Sequence, residues 1–356
     1  MEKIRIATIG TSHITDSFIA GAGHDPRFCL EAVYSRSADK GAAFAAKYGV
    51  GKVYTSLEDL AADRSVDAVY IASPNALHAP QAIYLMERGK SVLVEKPAAV
   101  SPEEFCRMAD AAIKNRVSLM EAMKTTLLPN FAAVERALPR IGKIRRYSAS
   151  YCQYSSRYEG FRRGVVATNM DPAMHGGARL DLGVYCIAPM VHLFGAPWEG
   201  EFTREKLESC VLSQQTIVYP GGDTLRERGI DGQGAMLIKY PGGMEANLTW
   251  SKISDSALPA EIQGEDGTIL IERIQQMAGP RIVMRVGSGT RGDAGFKNGG
   301  CATQSASSAE SLAVETIADN MYYEAREFFD LVEKGLTESA VNTFERSLIR
   351  AQICSR

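Results

Sequence analysis

Long apolar runs are missing from this chain of 356 residues: no stretch approaches the roughly 18 residues needed to cross a bilayer, so no membrane span is expected. An excess of one charge is missing too. Forty Lys and Arg stand against 42 Asp and Glu, a net charge of −2, which gives no electrostatic reason to expect nucleic acid or an anionic membrane as partner. Cysteine pairs at short spacing are absent. The 7 cysteines, at positions 29, 106, 152, 186, 210, 301 and 354, are odd in number and form no CxxC, which indicates neither a disulfide framework nor a zinc site. They read as small buried hydrophobes of a reducing cytoplasm. No His/Glu cluster has metal-ligand spacing, so no catalytic metal is expected. Internal repeats are also lacking, and Met1-Glu2-Lys3-Ile4-Arg5 runs into a strand with no signal-peptide pattern. What is present is 45% hydrophobic and 23% charged, an ordinary globular composition with length for one or two domains.

Up to about residue 124 the chain alternates strand and helix. Strands are expected at 3–9, 29–34, near 53, at 68–72, 91–94 and 117–120. Helices are expected at 12–22, 38–48, 56–62, 78–88 and 101–115. That alternation implies βαβ units and a parallel, doubly wound sheet. Ser101-Pro102-Glu103-Glu104 is a helix start, with Ser as N-cap, Pro in first position and acids in the first turn. After Lys124 the texture changes. A helix (129–138), a long strand (144–154) and a helix (177–194) precede strands at 216–219, 235–240, 244–250, 260–263, 268–272 and 281–286. Pro241-Gly242-Gly243 and Glu265-Asp266-Gly267 are hairpin-like turns among them. This predicts an α+β unit with a large, mostly antiparallel open sheet. Residues 287–309 are rich in Gly, Ser, Ala and Asn and are expected to form a mobile surface loop. A final helix is expected over 315–333.

Four expected strand ends carry polar, turn-forming residues, and ligands of open α/β sheets sit at that edge. Gly10-Thr11-Ser12-His13-Ile14-Thr15 follows the first strand. A dinucleotide fingerprint has glycines at the places of 10 and 12 and Gly or Ala at 15; only Gly10 is kept, and the pattern alone also suits an ordinary strand–helix turn. Its place before the first helix, whose N–H groups can hold a pyrophosphate, favours binding, with Ser12 and Thr15 as hydroxyl donors. Tyr34-Ser35-Arg36-Ser37 ends the second strand. An NAD enzyme places Asp or Glu here to accept from the adenosine ribose. Arg36, with Lys40 a turn later, would instead pair with a 2′-phosphate, which favours NADP(H) over NAD(H); the plain alternative is a solvated surface charge. Ser73-Pro74-Asn75-Ala76-Leu77-His78 follows the strand at 68–72, and Glu95-Lys96-Pro97 follows the apolar run at 91–94.

The string Lys90-Ser91-Val92-Leu93-Val94-Glu95-Lys96-Pro97 resembles the most diagnostic motif of the Gfo/Idh/MocA oxidoreductases, NAD(P)-dependent enzymes acting mostly on sugars and polyols. The resemblance implies that Lys96 contacts the nicotinamide ribose and the substrate hydroxyl, and makes Lys96–Pro97 a candidate cis peptide. Gly176-Gly177-Ala178-Arg179-Leu180-Asp181-Leu182-Gly183-Val184-Tyr185 is similar to the family's Gly-Gly helix, with Asp and then His or Tyr four residues on. Asp181 and Tyr185 share a helix face by that spacing. Tyr at the last place matches the glucose–fructose oxidoreductase and dihydrodiol dehydrogenase branches. It implies Tyr185 as general acid/base, with its phenol pKa lowered by Lys96 and the cofactor, and Asp181 as the group orienting substrate or lysine. The resemblance also puts Gly10, Thr11, Ser12, His13, Ile14, Ser35, Arg36, Lys40, Ser73, Pro74, Asn75, His78 and Glu95 beside the cofactor. A capping or packing role for His78 is the alternative.

Other residues are less determined. Lys124, beside Glu121 at the handover to the second half, either greets an anionic substrate group or is a hinge-surface charge. Asn169 and Asp171 would border the substrate cleft. His175 and Arg179 replace the family's usual apolar residues, and Arg179 lies about 200° around the helix from Asp181. His192 reads as structural. The resemblance therefore implies a Rossmann domain at 1–124 that binds NADP(H) and a substrate-binding and oligomerising domain at 125–356. The reaction implied is hydride transfer to or from a secondary hydroxyl carbon of a sugar, cyclitol or trans-diol, in a cytoplasmic homodimer or homotetramer. Two rivals stay open: a glycosidase using transient oxidation by a retained NAD, and a non-catalytic dinucleotide-binding regulator.

Overall fold

The computed structural model describes residues 2–203, 205–206, 211–217, 229–285 and 309–355. Alternation of buried strands with amphipathic helices builds the first sheet: β1 (Ile4–Ile9), α1 (His13–Ala22), β2 (Phe28–Tyr34), α2 (Ala38–Ala46), β3 (Lys52–Tyr54), α3 (Leu57–Ala62), β4 (Ala68–Ile71), α4 (Asn75–Met86), β5 (Ser91–Glu95), α5 (Pro102–Asn115) and β6 (Leu119–Ala122). All neighbours are parallel in the order β3-β2-β1-β4-β5-β6. The order reverses between β1 and β4, so a crevice opens beyond their carboxyl ends. Strands β4, β5 and β6 are buried at every residue, as a sheet covered on both faces requires. Ser101 caps α5 as expected, its hydroxyl accepting from Glu104 N with Pro102 in first position.

The second half follows with α6 (Pro129–Ala137), β7 (Ile144–Cys152), α7 (Tyr158–Arg162), a π turn (Arg179–Gly183), α8 (Val184–Phe194), β8 (Val211–Ile217), β9 (Ile230–Lys239), β10 (Glu245–Ser251), β11 (Ala260–Gly264), β12 (Gly267–Ile271), β13 (Arg281–Met284), β14 (Ala309–Ser311), α9 (Tyr322–Lys334) and α10 (Phe344–Cys354). Among the described residues its eight strands run β14-β13-β12-β11-β7-β10-β9-β8, and of these neighbours only β7 and β10 are parallel, so the sheet is mostly antiparallel, as predicted. Tyr147, Ala149, Leu248, Trp250, Met236 and Ile238 alternate along β7, β10 and β9 and bury one face under α8.

The structure differs from expectation at several elements. The helix expected over 177–194 is a π turn that passes into α8. Gly183 touches the Trp250 indole there, a Cβ on it meeting ring atoms at 3.0–3.2 Å. The strand expected at 216–219 begins earlier, at Val211; residues 218–219 lie outside the described residues, as do 287–308, while Ala309 opens β14. The last helix starts at Tyr322 rather than 315, and α10 was not anticipated. The first sheet ends at Ala122, close to the expected division at 124/125, yet the C-terminal helices return to it. Met321, Phe328, Phe329 and Leu331 join one apolar cluster with Ile4, Ile6, Phe18 and Tyr70. Gly21 of α1 lies so close to α9 that a Cβ would meet Tyr322 N at 2.6 Å.

Candidate active site

The carboxyl ends of β1, β2, β4 and β5 and the segment before α8 enclose a cleft of about 870 Å³. Its walls take Gly10, Thr11, Ser12 and Ile14 from the first turn, Ser35, Arg36 and Lys40 from the β2–α2 connection, Ser73, Pro74, Asn75 and His78 from the start of α4, and Glu95 and Lys96 from β5. From the second half they take Asn169, Asp181 and Tyr185. Most residues singled out in the sequence therefore share one cavity.

The first turn fits a dinucleotide. Gly10 has φ +110°, and a Cβ there would meet Ala72 O at 2.7 Å, so the backbone is bare where a pyrophosphate must approach. Ser12 is the N-cap of α1 without a side-chain capping bond, which leaves its hydroxyl and the first N–H groups of the helix open to an anion. Thr15 does not serve this purpose: it is wholly buried beneath the turn. His13 opens α1 as an exposed residue and does not line the cleft. Arg36 and Lys40 are exposed and form no ion pair with the described residues, so both charges are available to a phosphate.

The opposite wall holds Lys96, Asp181 and Tyr185. Lys96 Nζ donates to Asp181 Oδ1 at 2.8 Å and to Asp181 O at 3.0 Å, and stands 5.0 Å from the centre of the Tyr185 ring. The Lys96–Pro97 peptide is cis. Burial works against the lysine's charge, but Asp181, Tyr185 and Glu95 outweigh it and hold the pKa above the ordinary lysine range. Asp181 is likewise opposed by burial and held well below the usual carboxylate range by Lys96 and Lys252. Tyr185 departs from expectation. Burial pushes its phenol above the ordinary value and Lys96 recovers only part of that shift, since Glu95, Asp181 and Tyr151 add to it. Without cofactor or substrate the phenol is a proton holder.

Neighbouring groups fix these side chains. Glu95 is buried and accepts from Tyr70 Oη at 2.6 Å. His78 lies in the first turn of α4, buried, with Nδ1 2.8 Å from Pro97 O and Nε2 2.7 Å from Ser73 O, so it staples two strand ends together. Asn75 Nδ2 donates to His175 O at 2.9 Å and links the two halves across the cleft. Lys124 is turned to Asn320 Oδ1 at 3.1 Å and does not line the cleft. Asp171 accepts from Ala173 N at 2.9 Å, capping a short 3₁₀ turn, and also stands off the cleft. Arg179 N binds Asp231 Oδ2 at 2.6 Å, away from Asp181. His192 packs edge-on to Phe131 and reaches Glu135; burial and Arg346 lower its pKa to about 4, consistent with a structural role.

Two groups were not foreseen. Arg157 lines the part of the cleft formed by the second half of the chain, with Val166, Ala167, Thr168 and Met174. Lys252, just past β10, is 1% exposed, and its Nζ reaches Asp181 Oδ2 at 2.6 Å and Asn169 O at 3.0 Å. A cation at the carboxyl end of a strand was the signal that marked Lys96, and Trp250-Ser251-Lys252 carries it as well. Among the described residues no group of three or more His, Cys, Asp or Glu could hold a metal ion, and no helix is long and apolar enough to cross a membrane.

Residues 4–123 match the oxidoreductase family with an NAD-binding Rossmann fold, Gfo/Idh/MocA, and residues 137–270 match that family's C-terminal domain. A scyllo-inositol 2-dehydrogenase (NADP+) of Bacillus subtilis is 44% identical over 350 residues, covering 98% of this chain and 94% of that one. A mouse trans-1,2-dihydrobenzene-1,2-diol dehydrogenase is 28% identical over 331 residues, covering 90% and 85%. A solved 3-ketoreductase from Actinomadura kijaniata superposes with a TM-score of 0.77 at 24% identity, covering 99% of this chain and 96% of that one, and shows the same fold.

Proposed function

This chain belongs to the Gfo/Idh/MocA oxidoreductases, and from that premise we propose that it moves a hydride between NADP(H) and a secondary hydroxyl carbon of a cyclitol or related polyol. One observation carries the reading: Lys96, Asp181 and Tyr185 meet in the wall of the cleft that also holds the bare Gly10 turn and the unpaired charges of Arg36 and Lys40. The similarity to an NADP+-dependent scyllo-inositol dehydrogenase along nearly the whole chain supports both the cofactor and the substrate class.

Thr11, Ser12 and Ile14 would hold the pyrophosphate, and Arg36 and Lys40 the 2′-phosphate. When bound, the nicotinamide supplies the redox chemistry. Lys96 has three N–H donors, of which two are given to Asp181, so one remains for the substrate oxygen. Tyr185 gives its phenol proton to the substrate oxygen in reduction and, as the phenolate, takes the hydroxyl proton in oxidation. Asp181 fixes the direction of the lysine.

Fluorescence titration with NADPH and NADH tests the cofactor assignment, and NADP+ reduction across cyclitols, aldoses and trans-diols tests the substrate class. Tighter binding of NADPH is expected, with turnover on cyclitols. A preference for NADH would overturn the role given to Arg36, and binding of neither would end the assignment. We also propose that two copies pair through the second sheet. The face opposite α8 carries Ser148, Ser150, Asn247, Thr249 and the exposed Leu237. Light scattering at micromolar concentration should find a dimer or a tetramer; a monomer would refute the pairing.

A further inference from the structure

Lys252 is a buried cation with no place in the chemistry described above. Its stem ends β10, and Trp250 two residues earlier packs against the π turn that carries Asp181. Its Nζ gives one N–H to Asp181 Oδ2 and one to Asn169 O. Asp181 is thus held from both sides, with one oxygen on Lys96 and the other on Lys252. An unpaired ammonium is costly to bury, and an apolar side chain could have filled the site at the end of the strand.

The charges around Lys96 show what the second cation does. Lys96 faces Asp181 on one side and Glu95 on the other, with Tyr185 and Tyr151 close by. Behind Glu95 stand Tyr70, Glu324 and Lys124. Lys96 set against the Asp181 carboxylate alone leaves the wall no net positive charge to meet the negative charge that develops on the substrate oxygen as its proton leaves. Around Lys252 itself lie Asp181, the Asn169 carbonyl and Asp231, the last already engaged by Arg179 N and Trp250 Nε1.

We propose, on the premise of the oxidoreductase reading, that Lys252 is a positioning residue for proton and hydride transfer: by taking one oxygen of the Asp181 carboxylate from outside the cleft, it leaves the charge of Lys96 only partly compensated and its third N–H free for the substrate oxygen. Lys252 does not line the cleft and acts only through Asp181. It contributes to the charge of the wall rather than to affinity for substrate or dinucleotide.

The test compares Lys252→Met, Lys252→Gln and Lys252→Arg with the unaltered protein. In K252M and K252Q, kcat for polyol oxidation near pH 7 should fall roughly tenfold or more. The alkaline rise of the pH profile, set by the Tyr185 phenol, should move up by about one pH unit, while the fluorescence affinity for NADPH stays within about threefold. K252R, which keeps the charge, should retain the limb in its original place. A readout free of turnover comes from 13C carboxyl NMR of the ligand-free protein, with Asp181 assigned through D181N: its titration should move to higher pH in K252M. Loss of activity with an unmoved limb and an unmoved Asp181 titration would reduce Lys252 to a packing role and overturn the proposal. If K252M and K252Q fail to fold, K252R decides alone, and a shifted limb in a folded K252R refutes it. Failure of the underlying reading would look different, since the unaltered protein would then neither bind NADPH nor oxidise a polyol.

Discussion

Glu324 sits in the first turn of α9 with no exposed surface, and neither carboxyl oxygen has a hydrogen-bond partner. Burial, and then the neighbouring Glu95, push its pKa well above the ordinary carboxyl value, and Lys124 offsets only part of this. Burial therefore favours the protonated carboxyl in the folded protein. The linkage has a definite sign: the native state keeps a proton that the unfolded chain releases above the ordinary glutamate pKa, so the stability it contributes is full below that pKa and is lost as pH rises toward the folded value. Glu324→Gln, which cannot ionise, should therefore be more stable than the unaltered protein at pH 8, with an advantage that grows by up to about 1.4 kcal/mol per pH unit and vanishes near pH 4. Urea unfolding at several pH values would check this, and a constant difference across that range would refute it. At this scale much of the candidate site was legible. Lys96, Asp181 and Tyr185 were found through their motifs, and Arg36 through the lack of a carboxylate at its position. Lys252 was not, because its partner lies 71 positions earlier on a different element and no local pattern joins the two. The direction of the Tyr185 pKa was missed for a related reason, since burial is set by the whole wall and not by the helix that carries the tyrosine.

Elements were legible where one local rule decides them. β4 and the middle of β5 are continuous apolar runs, and α5 announces itself by Ser101, Pro102 and its first-turn acids. The π turn before α8 was not visible, because its cause is tertiary. Gly183 lets the Trp250 ring press against the turn, and the Tyr147 hydroxyl donates to the Cys186 carbonyl at 3.0 Å. Pro189 within α8 also lacks the N–H that would bind the carbonyl four residues earlier. A wider turn alters the relative direction of Asp181 and Tyr185 from that of a regular helix, and such insertions are frequent at functional sites. The start of α9 was misplaced for a similar reason. Residues 315–320 have acceptable helix composition, but Ile317 N is engaged by the Tyr323 hydroxyl at 2.9 Å, which holds that segment outside the helix.

Across the whole molecule, the halves are joined by the apolar cluster under α9 and by a second connection that is polar and buried. Arg350 of α10 forks onto Glu121 of β6, with side chains only 2% and 4% exposed, and Glu121 also accepts from Ala98 N just past the Lys96–Pro97 peptide. Asn342 adds bonds to the Thr126 hydroxyl and to the carbonyls of Glu121 and Met123. Truncating one member of such a pair strands a charge in the interior, so Arg350→Met should cost about 3–5 kcal/mol. The double variant Glu121→Met with Arg350→Met should recover part of that loss, and thermal unfolding of the single and double variants would measure the coupling. A loss in the double variant equal to the sum of the losses of Glu121→Met and Arg350→Met would mean that the pair is not coupled.

The return of α9 also bears on how the protein is made. The strands of the first sheet are complete once Ala122 has been synthesised, but one layer of their apolar cover, Met321 to Leu331, is encoded about 200 residues later. At roughly 5–20 residues per second, the nascent chain spends on the order of 10–40 s with the β1–β4 face lacking that cover. During that interval Phe18 and Tyr70 stand without the α9 residues that cover them in the finished fold.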